Sequence, residues 1–189
     1  MGPRSLAGDN RASQILEFAL VLPLLVVVAV GIFDFGQAFS TRQRLSLVAR
    51  DAARFGSSQP TADLNGSTPL SVSSIRDLVD ADINSAGLND CGLGSIQLSG
   101  TRMWSATGTC SNSTTLTVVI DRGFIAPPSS QPGVTVPGTS ETLRLISTHV
   151  VLSYPYPWHF NRVIQLLLPN ATYAAVSQIE VEAIAPNQD

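Results

Sequence analysis

The sequence contains no lysine, and charged residues make up only 13% of its 189 positions. All 11 basic side chains are therefore arginines, and the formal net charge at pH 7 is -3. A protein that binds nucleic acid needs clustered basic groups to neutralise the phosphates. Because no basic stripe occurs in this chain, we expect no nucleic-acid partner.

Histidine and cysteine each occur only twice. His149 falls in a predicted strand and His159 in a proline-rich turn, and neither has a serine, cysteine or acidic residue at the spacing of a nucleophile and its base. The cysteines form no CxxC motif and have no nearby histidine. A glycine-rich phosphate-binding loop is also missing. We therefore expect a non-enzymatic protein without catalytic residues, metal site or cofactor.

The two cysteines, Cys91 and Cys110, lie in the polar part of the chain. A disulfide between them is the favoured prediction, because it suits a domain in an oxidising, extracytoplasmic compartment. Closing a loop of this size stabilises a fold by about 3 kcal/mol in the chain-entropy model. The alternative is a pair of free thiols.

Ionisable residues are absent between Glu17 and Asp34, where the sequence is almost uniformly apolar. Flanking apolar residues extend this segment, so a helix from about Ser13 to Phe39 is long enough to cross a bilayer and contact membrane lipid. Its two acidic residues would then lie near the two membrane interfaces. We therefore predict a single-pass protein of the cytoplasmic (inner) membrane.

The orientation of this anchor is not fixed by charge, because more arginines follow the segment than precede it. The usual excess of basic residues on the cytoplasmic side would thus favour the opposite topology. Long domains, however, translocate with little regard to charge, and the cysteine pair suits an oxidising compartment. We therefore place the C-terminal domain outside.

The helical pattern continues beyond the membrane segment to about Phe55. Charged residues occupy one side, and the other carries a small, apolar stripe that consists of Ala38, Leu45, Val48, Ala49, Ala52, Ala53 and Phe55. This pattern predicts one helix of roughly 40 residues, or about 60 Å. Its outer half would pack against its own domain or a neighbouring molecule.

A second helix is predicted from about Ser74 to Ala86. Ser74 and Asp77 have the spacing of a capping box, and Gly87 would end the helix. The acidic face of this helix is expected to be solvated, because it lacks the glycine-turned loop of a calcium site. That face comprises Asp77, Asp80 and Asp82.

From residue 95 onward, apolar residues recur at alternate positions and predict four strands. These strands are marked by Ile96 and Leu98, by Leu116 to Ile120, by Ile146 to Tyr154, and by Tyr173 to Val181. Polar residues on the opposite face favour an antiparallel sheet with one face on a helix. The sequence therefore predicts an α+β fold, with a long N-terminal transmembrane and amphipathic helix, one further helix and a small antiparallel sheet.

Three segments interrupt the predicted sheet. The proline-containing stretch from Arg122 to Ser140 is predicted to be a surface loop. The prolines of Pro155 to Phe160 are expected to end the third strand. The apolar patch from Val163 to Leu168 is predicted to cap the core, with a partner or membrane contact as the alternative. The resulting organisation is a leader at 1–12, the helix and its extension at 13–56, and an extracytoplasmic domain at 57–189.

Three segments in the N-terminal part of the chain form a recognisable pattern: Arg11-Ala-Ser-Gln-Ile-Leu-Glu-Phe-Ala-Leu-Val-Leu-Pro23, Gly31-Ile-Phe-Asp-Phe-Gly36 and Ala49-Arg-Asp-Ala-Ala-Arg54. With these segments the chain resembles the TadE-like family of the Tad/Flp pilus assembly systems. It implies a pilin-like fold and a minor pilin or pseudopilin that contributes to pilus assembly. Other pilin-like subunits and the Tad secretion and assembly machinery would be its partners.

The resemblance also implies cleavage by a prepilin peptidase on the cytoplasmic side of the membrane, between Ala12 and Ser13. Ala12 stands where such sites usually carry glycine. Cleavage would place Glu17 and Phe18 at the fifth and sixth mature positions. The new α-amine of Ser13 would then pair with Glu17 of a neighbouring subunit and replace a lone buried charge by a satisfied pair.

Pro23 removes one hydrogen bond from the apolar helix, at the carbonyl of Ala19. It is a candidate kink, although a proline tolerated inside a membrane helix fits the sequence equally well. Two other interpretations of the N-terminal segment stay open. The first is a secreted binding domain whose signal peptide is cut after Ala29-Val-Gly31, and the second is an uncleaved, membrane-anchored adhesin or scaffold.

Overall fold

The computed structural model describes residues 10–111, 113–126, 134–135, 142–159, 165 and 176–188. It confirms the predicted α+β class, with a long N-terminal helix, a second helix and a five-stranded sheet. The helices are α1 (Asn10–Ser57) and α2 (Leu70–Ser85). The strands are β1 (Gln97–Gly100), β2 (Met103–Thr109), β3 (Thr115–Ala126), β4 (Val134–Thr135), β5 (Thr142–Leu143), β6 (Leu145–Pro157) and β7 (Val176–Pro186).

The chain divides into two compact units. One comprises residues 1–39 and 157–176, and the other comprises residues 40–156 and 177–189. Helix α1 has 48 residues and contributes to both units, so the single long helix expected from the sequence is present and somewhat longer than predicted. Its sequence is rich in leucine, alanine and arginine, which are good helix formers.

In the first unit, α1 exposes its apolar residues on all sides. Phe18, Leu24 and Phe33 are each at least 60% exposed, and this part of α1 is long and apolar enough to cross a membrane. A helix that is apolar all round is stable only if something other than water covers it. These features are consistent with a membrane anchor. The acidic residue Asp34 also lies in this part of α1, but it is buried, with only 3% of its surface exposed.

The second unit has a core in which α1, α2 and the sheet share one cluster of buried side chains. The predicted small-residue stripe of α1 is buried at Leu45, Val48, Ala49, Ala52 and Ala53. Phe55, expected on the same side, is 37% exposed.

Gly56 belongs to α1 and lies against the core of the second unit. A Cβ atom at this position would come within 2.8 Å of Thr148 Cγ2 and 2.9 Å of Ile75 Cδ1. Both distances are shorter than carbon atoms tolerate. Glycine is therefore required here for close packing, in addition to its position near the end of the helix at Ser57.

The five-stranded sheet has the order β1-β2-β3-β6-β7. Neighbouring strands β1 with β2, β2 with β3, and β3 with β6 are antiparallel, and β3 contributes Leu116, Val118 and Ile120 to the core. The alternation of buried and exposed positions in β3 is the pattern from which this strand was predicted.

Three details of the predicted sheet were wrong. Strand β2 was not predicted, because its inward positions after Trp104 are the small residues Ala106 and Gly108. The loop expected to begin at Arg122 begins later, because β3 continues to Ala126 across a shift in register. The prolines after Tyr154 do not end β6, which continues to Pro157.

The second helix begins at Leu70, before the predicted start at Ser74. The expected capping box is absent, because the Ser74 hydroxyl donates back to the Leu70 carbonyl inside the helix. The carboxylate of Asp63 accepts hydrogen bonds from the backbone N–H and the hydroxyl of Ser71 instead, each at 2.8 Å. The predicted end is confirmed, since Gly87 has a φ of +71°, which favours glycine.

Some sequence predictions fall outside the described residues. They concern Tyr173 and Ala175, the apolar patch from Val163 to Leu168 apart from Gln165, and most of the connection from 127 to 140. The strand predicted around the first two is described from Val176 onward, as β7.

Candidate functional site

The candidate processing and assembly residues lie together at the start of α1. Ala12 and Ser13 are helical in backbone, and Ser13, Glu17 and Phe18 expose their side chains. Residues four positions apart share a helix face, so Ser13 and Glu17 are neighbours on one side of α1. The side chain of Ala12 lies outside the described part of the structure.

Glu17 is an exposed carboxylate at the start of the apolar part of α1. Among the described residues, none forms a hydrogen bond or an ion pair with it. An ionised group in or beside hydrocarbon is costly unless another group compensates its charge. The geometry therefore leaves Glu17 able to accept a partner from outside its own chain.

Pro23 lies inside α1, and the helix is continuous through it. The residue lacks an N–H group, so the Ala19 carbonyl loses its usual helical donor. A kink at Pro23 stays a prediction.

The first unit contains a second polar arrangement that sequence reasoning did not find. His159 Nδ1 lies 3.3 Å from Asp34 Oδ1, and the ring of Trp158 contacts the ring of Phe35 edge-on, with centroids 5.2 Å apart. The Asp34 side chain is 2% exposed and that of His159 is 64% exposed. In each pair the two residues are more than 120 positions apart in sequence, so no local motif indicates the contact.

The predicted disulfide between Cys91 and Cys110 is formed in the second unit. The backbone of Cys91 has a φ of 53°, and its N–H donates to Asn89 Oδ1 at 2.9 Å. Gly108 allows β2 to approach this turn, because a Cβ there would lie 2.8 Å from the Cys91 carbonyl oxygen. The loop before the disulfide is thus held by a covalent bond, a side-chain hydrogen bond and close backbone packing.

Two carboxyl groups of α2 have shifted pKa values. Burial raises the pKa of Asp80, and the neighbouring carboxyl of Asp90 raises it further by hydrogen bonding and by repulsion. Burial also raises the pKa of Asp82, as does the charge of Asp51 on α1. Within the described part of the chain, no three histidine, cysteine or acidic side chains are grouped so that they could hold a metal ion.

Asp51 and Asp82 border an open groove between the outer part of α1 and α2. The Arg44 guanidinium crosses one end and donates to the Ala86 carbonyl at 2.8 Å. The groove has a volume of about 500 Å³ and is lined by Arg44, Leu47, Val48, Asp51, Asp82, Ser85 and Ala86. It carries one basic and two acidic groups and thus no single charge preference for a ligand.

The two histidines have different roles. His149 lies on the sheet, where its Nε2 is 3.0 Å from Glu182 Oε2 and its ring contacts that of Phe124. His159 lies in the other unit with Asp34. Among the residues that the structure describes, neither arrangement places a serine or cysteine nucleophile beside the imidazole.

Comparison with protein families finds a match within α1. Residues 12–54 match the family described as TadE-like protein, which confirms the resemblance drawn from the same residues. No curated protein and no solved structure matches the chain. The family match begins at the candidate processing residue, includes Glu17 and ends near the end of α1, and it indicates a protein related to Tad pili.

Proposed function

We propose that this protein, whose first helix carries the TadE-like sequence, is a non-enzymatic minor pilin or pseudopilin of a Tad pilus assembly system. One observation carries the proposal: the matched residues 12–54 coincide with α1, and they include an exposed glutamate in its apolar part. In this proposal, α1 anchors the protein in the cytoplasmic membrane and enters the assembly. Its partners are other pilin-like subunits and the Tad secretion and assembly machinery.

The extracytoplasmic placement of the second unit is supported by its disulfide. Disulfides persist in oxidising compartments and are rare in the cytosol. The Cys91–Cys110 bond lies in the unit that follows the apolar part of α1. We therefore propose that the N-terminus faces the cytoplasm and that the sheet is displayed outside, in the membrane-bound protein or in a surface pilus.

The proposed assembly role of Glu17 depends on cleavage by a prepilin peptidase between Ala12 and Ser13. Cleavage creates an α-amine on Ser13, four residues from the Glu17 carboxylate. Pairing that amine with Glu17 of a neighbouring subunit satisfies both charges in an apolar environment and sets the axial position of the subunits.

N-terminal sequencing of the mature protein tests the processing step. A mature chain that begins at Ser13 is the expected result. A start at Ile32 would contradict the proposal and indicate a secreted domain released from a signal peptide. An unprocessed N-terminus would contradict the pilin role and favour an uncleaved anchored scaffold.

The role of Glu17 is tested with Glu17→Ala in the full chain. We expect a normal amount of protein in the membrane fraction but fewer assembled pili, because the inter-subunit pair is lost. Asp51→Ala is the matched control, since it removes an exposed carboxylate from the outer part of the same helix. Normal piliation in the Glu17→Ala strain would refute the pairing role.

A further inference from the structure

Asp34 is the buried acidic residue of the first unit, at the far end of the apolar part of α1. Its carboxylate is almost fully covered, and His159 Nδ1 lies 3.3 Å from it. A buried carboxylate is stable only if hydrogen-bonding or charged groups compensate it. The segment that carries His159 is therefore held against α1 at this level by a polar contact as well as by packing.

The adjacent residue provides the packing. Trp158 contacts Phe35 edge-on, an arrangement that aromatic rings prefer to face-to-face stacking. Phe35 nevertheless stays 68% exposed, and Phe39, one turn further along the same face of α1, is 63% exposed. The result is an aromatic surface with a histidine at its edge.

The position of this surface along α1 follows from helix geometry. The distance from Glu17 to Asp34 along the axis is about 25 Å at 1.5 Å per residue. The hydrocarbon core of a bilayer is about 30 Å thick. If α1 crosses the membrane with Glu17 at the cytoplasmic side, Asp34 and Phe35 lie at the opposite boundary between acyl chains and headgroups.

We propose that Trp158 and His159 form a second membrane contact, with Trp158 inserted at the headgroup boundary of the outer leaflet and the segment fixed there by Asp34 and Phe35. Tryptophan is enriched at this depth because its ring is apolar and its N–H is polar. The contact is continuous with the lipid-facing surface of α1. It rests on the proposed membrane insertion of α1 and adds a second attachment point far along the chain.

Lipid fits this surface better than a second copy of the chain does. The Asp34 carboxyl group is covered from within its own unit, so in the described part of the chain the surface offers a neighbouring subunit no exposed acidic group to pair with. Phe35, which Trp158 contacts, is exposed on the same helix as the other apolar residues of the proposed anchor. A neighbouring copy as the occupant is an outcome that the following experiment detects.

Tryptophan fluorescence tests the contact, because the chain has only two tryptophans and Trp104 is completely buried. The full-length protein is placed at one copy per lipid nanodisc, with phosphatidylcholine brominated near the headgroup as quencher. Total emission should fall, since Trp158 would lie at the interface where tryptophan concentrates. The Trp158→Phe variant, which retains Trp104, should lose almost none.

Equal quenching of the native protein and the Trp158→Phe variant would overturn the proposal. It would also be overturned if Trp158 emission at one copy per disc were quenched by aqueous acrylamide but not by the lipid. A Trp158 signal that becomes protected only with two or more copies per disc would assign the surface to a second copy and equally refute the lipid contact.

Two variants test how the segment is held. His159→Ala and Asp34→Asn should each reduce the lipid quenching of Trp158, because the segment loses its polar attachment to α1. His149→Ala is the matched control, since it removes the histidine on the sheet and should leave the quenching unchanged. Unchanged quenching in both test variants would refute the positioning role of the Asp34–His159 pair.

A final control separates this inference from the proposed insertion of α1. Leu25→Trp in the Trp158→Phe protein places a fluorophore in the middle of the apolar segment, for use with lipid brominated deep in its acyl chains. Quenching of this reporter without quenching of Trp158 would leave α1 in the membrane and refute only the second contact. If neither is quenched, both the anchor and the second contact are refuted.

Discussion

Arg122 Nη2 donates a 2.7 Å hydrogen bond to the carbonyl oxygen of Gln59, from a side chain that is completely buried. Arg122 is on β3, whereas Gln59 follows the end of α1. The backbone N–H of Arg122 also donates to the Arg102 carbonyl, and its carbonyl accepts from Asn187. One residue therefore joins the end of the long helix, the β1–β2 turn and the C-terminal end of the sheet.

Arg122→Ala should lower the free energy of unfolding by about 3 kcal/mol or more, because it leaves a cavity and removes the donor to the Gln59 carbonyl. Arg50→Ala is the control, since it removes an exposed arginine from α1 and should change stability by less than about 0.5 kcal/mol. Urea denaturation of the full chain in detergent, followed by far-ultraviolet circular dichroism, measures both. Similar midpoints for the two variants would contradict a structural role for Arg122.

A second prediction concerns the carboxylate that caps α2. Burial tends to raise the pKa of Asp63, but the hydrogen bonds from Ser71 outweigh it, and with the nearby Arg122 charge they hold the pKa below its ordinary value of 3.8. The folded state therefore binds this proton less readily than the unfolded state. The stabilisation is fully present above the unfolded pKa and is lost as pH falls through the folded pKa.

Asp63→Asn should cost about 1 kcal/mol at pH 7, as for the loss of a helix cap. The difference from the native protein should shrink as the pH is lowered below about 4, where the native carboxylate also takes up a proton. Denaturation midpoints between pH 3 and pH 7 give the comparison. A difference that does not depend on pH would show that charge on Asp63 is not what stabilises the cap.

The sequence could predict the features of the structure that depend on neighbouring residues, but not those that depend on distant ones. The long helix, its buried alanine stripe and the strand around Val118 depend on the periodicity of residues close in sequence, and all were predicted. The start of α2 was placed four residues late because its cap, Asp63, comes from outside the helix. Strand β2 was missed because alternate small residues such as Ala106 carry a weak hydrophobic signal.

The buried polar contacts could not be predicted because they join residues that are far apart in the sequence. Arg122 is a charged residue beside a glycine, a pattern that favours a loop, and its burial depends on the carbonyl groups that follow α1. The pairing of Asp34 with His159 likewise joins distant parts of the chain. Glu17 was identified by its position at the edge of the apolar segment and by family resemblance, and Ser13 by the resemblance alone, whereas their proposed partners belong to other molecules.

Removal of the disulfide provides a third prediction. The double variant Cys91→Ser and Cys110→Ser should lose about 3 kcal/mol of stability, because the unfolded chain regains the freedom of the open loop. A reducing agent should lower the denaturation midpoint of the native protein and leave that of the double variant unchanged. An unchanged midpoint for the reduced native protein, with free thiols verified by labelling, would contradict a stabilising role.

The last prediction concerns Asp80, whose carboxylate Oδ1 is buried beside the disulfide loop. Burial, and then the hydrogen bond and repulsion from Asp90, raise its pKa above 3.8. The folded state therefore binds the proton more readily than the unfolded state does. The favourable contribution of neutral Asp80 is present below the unfolded pKa and is lost as pH rises through the folded pKa.

Asp80→Asn should accordingly raise the denaturation midpoint at pH 7, because an amide replaces a carboxylate that is destabilised by its neighbour. The gain should diminish toward pH 3, where native Asp80 is protonated in both states. Glu180→Gln is the control, since it removes an exposed carboxylate on β7 that takes no part in the Asp80 shift, and its replacement should give no gain at pH 7. A lower midpoint for Asp80→Asn at pH 7 would mean that the ionised carboxylate stabilises the fold, and it would contradict the proposed repulsion between Asp80 and Asp90.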